Sequence, residues 1–98
     1  MEDVEFTEVD GKNDKNDITV YALSTCGFCR RGLNFLRENS IKFKYIYIDK
    51  LDYEVKQELK RNLYEKYKKR PVFPYLVLND EKVLTGFRKE IWKEELDV

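Results

Sequence analysis

Ninety-eight residues form one small domain, because an independent core needs roughly 50 to 200 residues and a second would leave both undersized. Apolar residues make up 42% and aromatics 14% of the chain beside 39% charged residues, which is enough for a packed core and excludes disorder throughout. Nineteen cations balance nineteen carboxylates and histidine is absent, which excludes nucleic-acid or membrane binding by bulk charge and any imidazole-based catalysis or histidine-ligated metal.

The charge is split along the chain. Residues 1–17 carry seven acids and two bases, and residues 18–98 carry twelve acids and seventeen bases, so an acidic leader precedes a mildly basic body. The start has no basic, then apolar, secretory pattern, and no apolar run approaches membrane-spanning length. A cytoplasmic, monomeric protein is therefore expected, and two cysteines alone are too few for a secreted disulfide scaffold. Val4, Phe6 and Val9 nearly alternate with acids, a pattern that suits a short edge strand and a flexible tail equally. Asp10 to Asp17 is polar and turn-rich, so the leader is taken as 1–17 and the domain as 18–98.

Ile18 to Leu23 is a compact apolar run, and Phe43 to Ile48 is β-branched and aromatic; both read as strands. Between them Cys29, Leu33 and Leu36 recur at helical spacing over Gly27 to Asn39, giving a strand, helix, strand crossover with parallel strands. Val55, Leu59, Leu63 and Tyr67 form a four-residue stripe on a second helix, Leu51 to Tyr67, whose charged run Lys68 to Arg70 leads to Pro71 as the stop. Tyr75 to Leu78 and Lys82 to Thr85 are strands of a hairpin turning at Asn79 to Glu81, and Ile91, Trp92 and Leu96 mark a terminal helix. The order β-α-β-α-β-β-α implies an α/β fold with a four-stranded mixed sheet covered by helices.

The reactive constellation is Cys26-Gly27-Phe28-Cys29 at the junction of the first strand and first helix. Random placement of two cysteines would give this spacing about one time in fifty, and a strand-helix junction is where a redox pair belongs. Cys26 would sit at the helix N-terminus, where free N–H groups and the helix dipole stabilise a thiolate. Cys29, one turn on, is more shielded and within disulfide reach. Cys26 can then attack a substrate disulfide and Cys29 can resolve the mixed disulfide, with no metal or nucleotide needed. A zinc site would need four ligands, of which one Cys pair supplies half, so it would require a dimer or carboxylates. Two inert buried cysteines are a further alternative. Phe28 is expected to be an exposed aromatic at a partner interface. Arg30 and Arg31 follow the motif, as a solvated helix surface or as charges that steer an acidic partner.

Ile18 to Arg31 with its Cys-Gly-Phe-Cys motif, then Val72-Phe73-Pro74 and Thr85-Gly86-Phe87, resemble the glutaredoxins of the thioredoxin-like superfamily over roughly residues 18–97. The resemblance implies a thioredoxin-like fold, a dithiol-disulfide oxidoreductase of cell redox homeostasis and electron transport, Cys26 and Cys29 as catalytic residues, and a cis Phe73–Pro74 bond. It assigns substrate contacts to Thr25, Phe28, Phe73, Pro74, Gly86 and Phe87, with Phe73 offering its backbone to an extended thiol substrate, and it implies no metal and no cofactor beyond the redox-active disulfide. Glutathione-using members carry a lysine where this chain has Leu23, and a Gly-Gly-acid stretch where it has Gly86-Phe87-Arg88-Lys89. Thr85 to Arg88 is similar to the Ser-Gly-Phe-Arg stretch of NrdH-type redoxins, which draw electrons from a thioredoxin-reductase-type flavoenzyme. The implied partners are disulfide-containing proteins, with such a reductase, another disulfide reductase or glutathione as electron source. Gly27-Phe28 also resembles the site of monothiol glutaredoxins that hold an iron-sulfur cluster in a dimer, although Cys29 stands where those have serine.

Overall fold

A computed structural model describes residues 4–98, and its sheet grows outward from the strand that carries the motif. The elements are β1 (Thr7–Val9), β2 (Ile18–Ala22), α1 (Gly27–Glu38), β3 (Phe43–Tyr47), a single 3-10 turn (Ile48–Lys50), α2 (Tyr53–Tyr67), β4 (Tyr75–Leu78), β5 (Lys82–Thr85) and α3 (Lys89–Leu96). The strand order is β1-β3-β2-β4-β5. β2 runs parallel to β3 through the α1 crossover, and the remaining pairings are antiparallel.

Period-two alternation decides which face each side chain joins. Ile18, Val20 and Ala22 of β2 pack with Leu33, Leu36, Trp92 and Leu96 on the α1 and α3 side, while Tyr21 packs with Leu59, Leu63 and Tyr75 under α2. All four residues of β4 are buried, as befits an inner strand covered on both faces. The α1 stripe Cys29, Leu33 and Leu36 is buried as its spacing requires. On α3, Trp92 and Leu96 are buried at i, i+4, and Ile91 lies off that face, 37% exposed.

The sheet has five strands rather than four, because the leader supplies the edge strand β1, paired with β3 at Thr7–Tyr45 and Val9–Phe43. Two further attachments hold it. A Cβ at Gly11 would meet the backbone of Ser40 to Lys42, and Asn13 bridges to Ile41 in that same turn. Asp17 and Asn79 then exchange bonds, the Asp17 N–H donating to Asn79 Oδ1 at 2.8 Å and the Asn79 N–H to the Asp17 carbonyl at 2.7 Å.

α2 stops at Tyr67, short of Pro71, because Lys68 turns left-handed with φ 59 and its N–H donates to the Tyr64 carbonyl. The Tyr67 hydroxyl donates to Asp80 at 2.6 Å, so a contact from the β4–β5 turn fixes this end. In that turn Asn79 and Asp80 have φ 54 and 58, a region these two residue types tolerate better than most. No described helix is long and apolar enough to cross a membrane.

Candidate functional site

The register explains which residues meet. Pairing of Ala22 with Tyr47 continues to Ser24 beside Asp49, and pairing of Tyr21 with Tyr75 continues to Ala22 beside Pro74. Pairing of Tyr75 with Thr85 likewise puts Gly86 beside Pro74. The end of β2 that leads into Cys26, the start of β4 and the end of β5 therefore share one end of the sheet.

Cys26 is the N-cap of α1, with extended backbone (φ −98, ψ 121). Its Sγ accepts a hydrogen bond from the Cys29 N–H at 3.1 Å, taking the place of the oxygen acceptor usual at an N-cap. The Cys26 N–H donates to the Leu23 carbonyl at 3.3 Å, and the Cys26 carbonyl accepts from Arg30 N–H at 3.1 Å, so the helix start holds the cysteine from both sides. Cys26 is half-buried and Cys29 fully buried, both as free thiols. The Cys29 Sγ accepts a hydrogen bond from the Leu23 N–H at 3.4 Å. Burial first, and then contact with Cys26 and the negative charge of Asp49, push the Cys29 thiol up to about 12. Each sulfur accepts one backbone N–H, and burial divides the pair into a partly exposed sulfur at the helix N-cap and a buried sulfur kept protonated.

The residues of the second half close the other side. The Phe73–Pro74 bond is cis, matching the form that the family resemblance implies. Pro74 is fully buried and its carbonyl accepts the Gly86 N–H at 2.9 Å. Phe73 is half-buried and packs against the same clusters as Leu23. Gly86 has φ 73, a left-handed conformation that favours glycine, and its carbonyl accepts the Trp92 Nε1–H at 3.1 Å. Phe87 directs its ring inward, 4.9 Å from the Trp92 ring and 5.6 Å from Phe35. It buttresses α1 through the gap left by Gly32, where an added Cβ would meet Trp92. Thr25 is exposed. Phe28 is 57% exposed, with the Arg31 guanidinium 4.6 Å above its ring.

Three residues that the sequence did not single out belong here, Ser24, Asp49 and Lys60. Both the N–H and the hydroxyl of Ser24 donate to the Asp49 carboxylate. Desolvation pushes this carboxyl up, but the Ser24 bonds outweigh it and hold it below the ordinary carboxylate value. The signal for the pair was the parallel register of β2 and β3, which the sequence does not display. Lys60 of α2 lies with its Nζ 6.0 Å from the Phe73 ring. Among the described residues no group of three or more His, Cys, Asp or Glu side chains could hold a metal ion.

Comparisons with known proteins agree with this geometry. The family model described as glutaredoxin matches residues 18–83. The chain is similar to the glutaredoxin of Methanosarcina mazei Go1, at 27% identity and a TM-score of 0.80, covering 97% of this chain and 90% of that one. It is similar to methanoredoxin of Methanosarcina acetivorans at 31% identity and a TM-score of 0.79, covering 90% of each chain. For a glutaredoxin of Archaeoglobus fulgidus the identity is 31% and the TM-score 0.70, with 82% of this chain and 85% of that chain covered. No curated protein sequence matches the chain.

Proposed function

Because the chain belongs to the glutaredoxin family and carries the Cys26–Cys29 dithiol, we propose that it is a thiol-disulfide oxidoreductase that reduces disulfides in proteins. The observation that carries the reading is the division of labour between the sulfurs. Cys26 is accessible and receives the Cys29 N–H, while Cys29 is buried behind it, one helical turn on.

In the first step the Cys26 thiolate attacks one sulfur of a substrate disulfide. A bond forms between Cys26 Sγ and that sulfur, the substrate S–S bond breaks, and the departing thiolate takes a proton from water. In the second step Cys29 gives its proton to solvent and attacks Cys26 Sγ. The mixed disulfide breaks, the second substrate thiolate leaves and is protonated, and the protein holds a Cys26–Cys29 disulfide. Two electrons pass from the dithiol to the substrate, and an external thiol or disulfide reductase must return them. The backbone of Phe73, next to the cis bond, offers its N–H and C=O to a substrate strand laid along this end of the sheet.

Arg88 and Lys89 follow Gly86 where the glutathione-using pattern has an acid, so they repel the amino group of a γ-glutamyl end. This supports an NrdH-like reading in which a flavoenzyme-type or other disulfide reductase is the principal electron donor. The reading places the protein in the reducing cytoplasm as a monomer. Two experiments test it. Incubated with a protein disulfide, Cys29→Ser should accumulate a mixed disulfide mapping to Cys26 by mass spectrometry, and no adduct would refute the assignment. Oxidised protein should be re-reduced slowly by glutathione and rapidly by a thioredoxin-reductase-type flavoenzyme; efficient turnover with glutathione alone would refute the donor.

A further inference from the structure

The end of the sheet that holds the cysteine pair is rimmed by cations that have no ionic partner among the described residues. Arg30 and Arg31 stand in the first turn of α1, and Arg88 and Lys89 begin α3 two and three residues after Gly86, whose N–H is bonded to Pro74. Lys60 reaches the Phe73 ring from α2. The ion pairs among the described residues join Lys15 to Asp97, Lys66 to Asp80 and Lys82 to Glu95, so none engages these five cations. The carboxylates on these helices are Glu38 at the far end of α1, Glu54, Glu58 and Glu65 on α2, and Glu90, Glu94 and Glu95 on α3, of which Glu95 pairs with Lys82; Asp49, in the 3-10 turn, is held by Ser24.

Two exposed apolar side chains belong to the same segments, Phe28 at 57% in the first turn of α1 and Val72 at 52% next to Phe73 in the chain. Phe28 is held under the Arg31 guanidinium, an arrangement that presents an aromatic ring and a cation together. Like-charged groups on one rim repel one another, and a partner bearing carboxylates relieves that repulsion while it speeds encounter. Exposed apolar side chains on the segments that hold Cys26 and Pro74 give contact area suited to a macromolecule.

We infer that this rim selects disulfides that lie in acidic protein segments, with Phe28 and Val72 as apolar contacts and Arg30, Arg31, Arg88 and Lys89 facing Asp or Glu beside the target cysteine. The inference rests on the reading that Cys26 reduces protein disulfides. The chemistry is the exchange described above; the rim acts on which disulfides arrive and how fast.

The test uses the reduced full chain and three disulfide-linked peptides of equal length, in which Glu, Gln or Lys flanks the cysteine. Each rate is divided by the rate with dithiothreitol, which removes differences in intrinsic disulfide reactivity. At low salt the Glu peptide should react at least about tenfold faster than the Lys peptide. The ratio should shrink toward one at 1 M salt, where the screening length is about 3 Å. In the double variant Arg31→Glu, Arg88→Glu the order should invert. Both rates come from one preparation, so partial misfolding lowers them together and leaves the ratio intact. Equal rates in the parent protein, or an unchanged ratio in the double variant, would overturn the inference. Failure to reduce any of the three peptides would instead overturn the proposed function.

Discussion

Resolution of the mixed disulfide should be steeply pH-dependent, because it needs the thiolate of the buried cysteine. With the Cys29 thiol pushed up to about 12, only about one molecule in 10⁵ carries that thiolate at pH 7, against a few per cent for a free cysteine near 8.5. The deficit is therefore on the order of a thousandfold. That figure is an upper bound for the step itself, since one cause of the shift, the Cys26 thiol, is consumed when the mixed disulfide forms. Burial is the largest cause and persists. Mixing reduced protein with a chromophoric aryl disulfide in a stopped-flow instrument should release aryl thiol in two phases of equal amplitude. The second phase, from Cys29, should rise about tenfold per pH unit between pH 7 and 9, and it should be missing in Cys29→Ser. A second phase with the same rate at pH 7 and pH 9 would refute the argument that burial of Cys29 controls resolution.

Other consequences concern the frame around the site. Gly11→Ala places a Cβ against the Ser40 to Lys42 backbone, so the leader must shift; urea denaturation should show a loss of about 1–3 kcal/mol, and parent-like stability would contradict the docked leader. Trp92→Ala empties the space between Gly32, Phe35 and Phe87 and should cost about 3–5 kcal/mol, whereas Trp92→Phe keeps part of that packing and should cost less, losing the bond to Gly86 and the contact on Gly32, about 1–3 kcal/mol; equal effects of the two would argue that packing there is unimportant. The Asp49 carboxyl is held low by Ser24, so its contribution is present above the unfolded value of about 3.9 and is lost as pH falls below it. The stability gap between the parent and Ser24→Ala should accordingly be open at pH 6 and narrow as pH drops from 4 to 2, and a gap constant over that range would exclude the ionised acceptor.

The legible parts of the chain are those whose cause is local. Cys29, Leu33 and Leu36 announce α1 because three or four residues suffice to define a helical stripe, and Cys26 could be placed at its start for the same reason. Ile18 to Leu23, Phe43 to Ile48, Tyr75 to Leu78 and Lys82 to Thr85 read as strands because their apolar residues cluster between turn formers, and the first two end one residue earlier, at Ala22 and Tyr47. What stayed hidden depends on distant partners. The leader segment Thr7–Val9 forms a strand only because β3 offers it an edge and because Gly11 can press against Ser40, neither of which its own residues reveal. The end of α2, where Lys68 turns left-handed, is anchored by the Tyr67 bond to Asp80, thirteen residues on. The same holds at the site: two cysteines three apart name themselves, but Ser24 meets Asp49 only through the parallel register, and Phe87 turns inward onto Phe35 of α1 and Trp92 of α3, rings that lie 52 residues before it and five after.

The central claim is that Cys26 is the attacking sulfur, and Cys26→Ser tests it most directly. Serine is itself a favoured N-cap, so the substitution keeps the start of α1 and removes only the thiol. The account predicts that this variant, folded with parent-like stability, reduces no protein disulfide above the uncatalysed rate. Retained turnover in Cys26→Ser would contradict it.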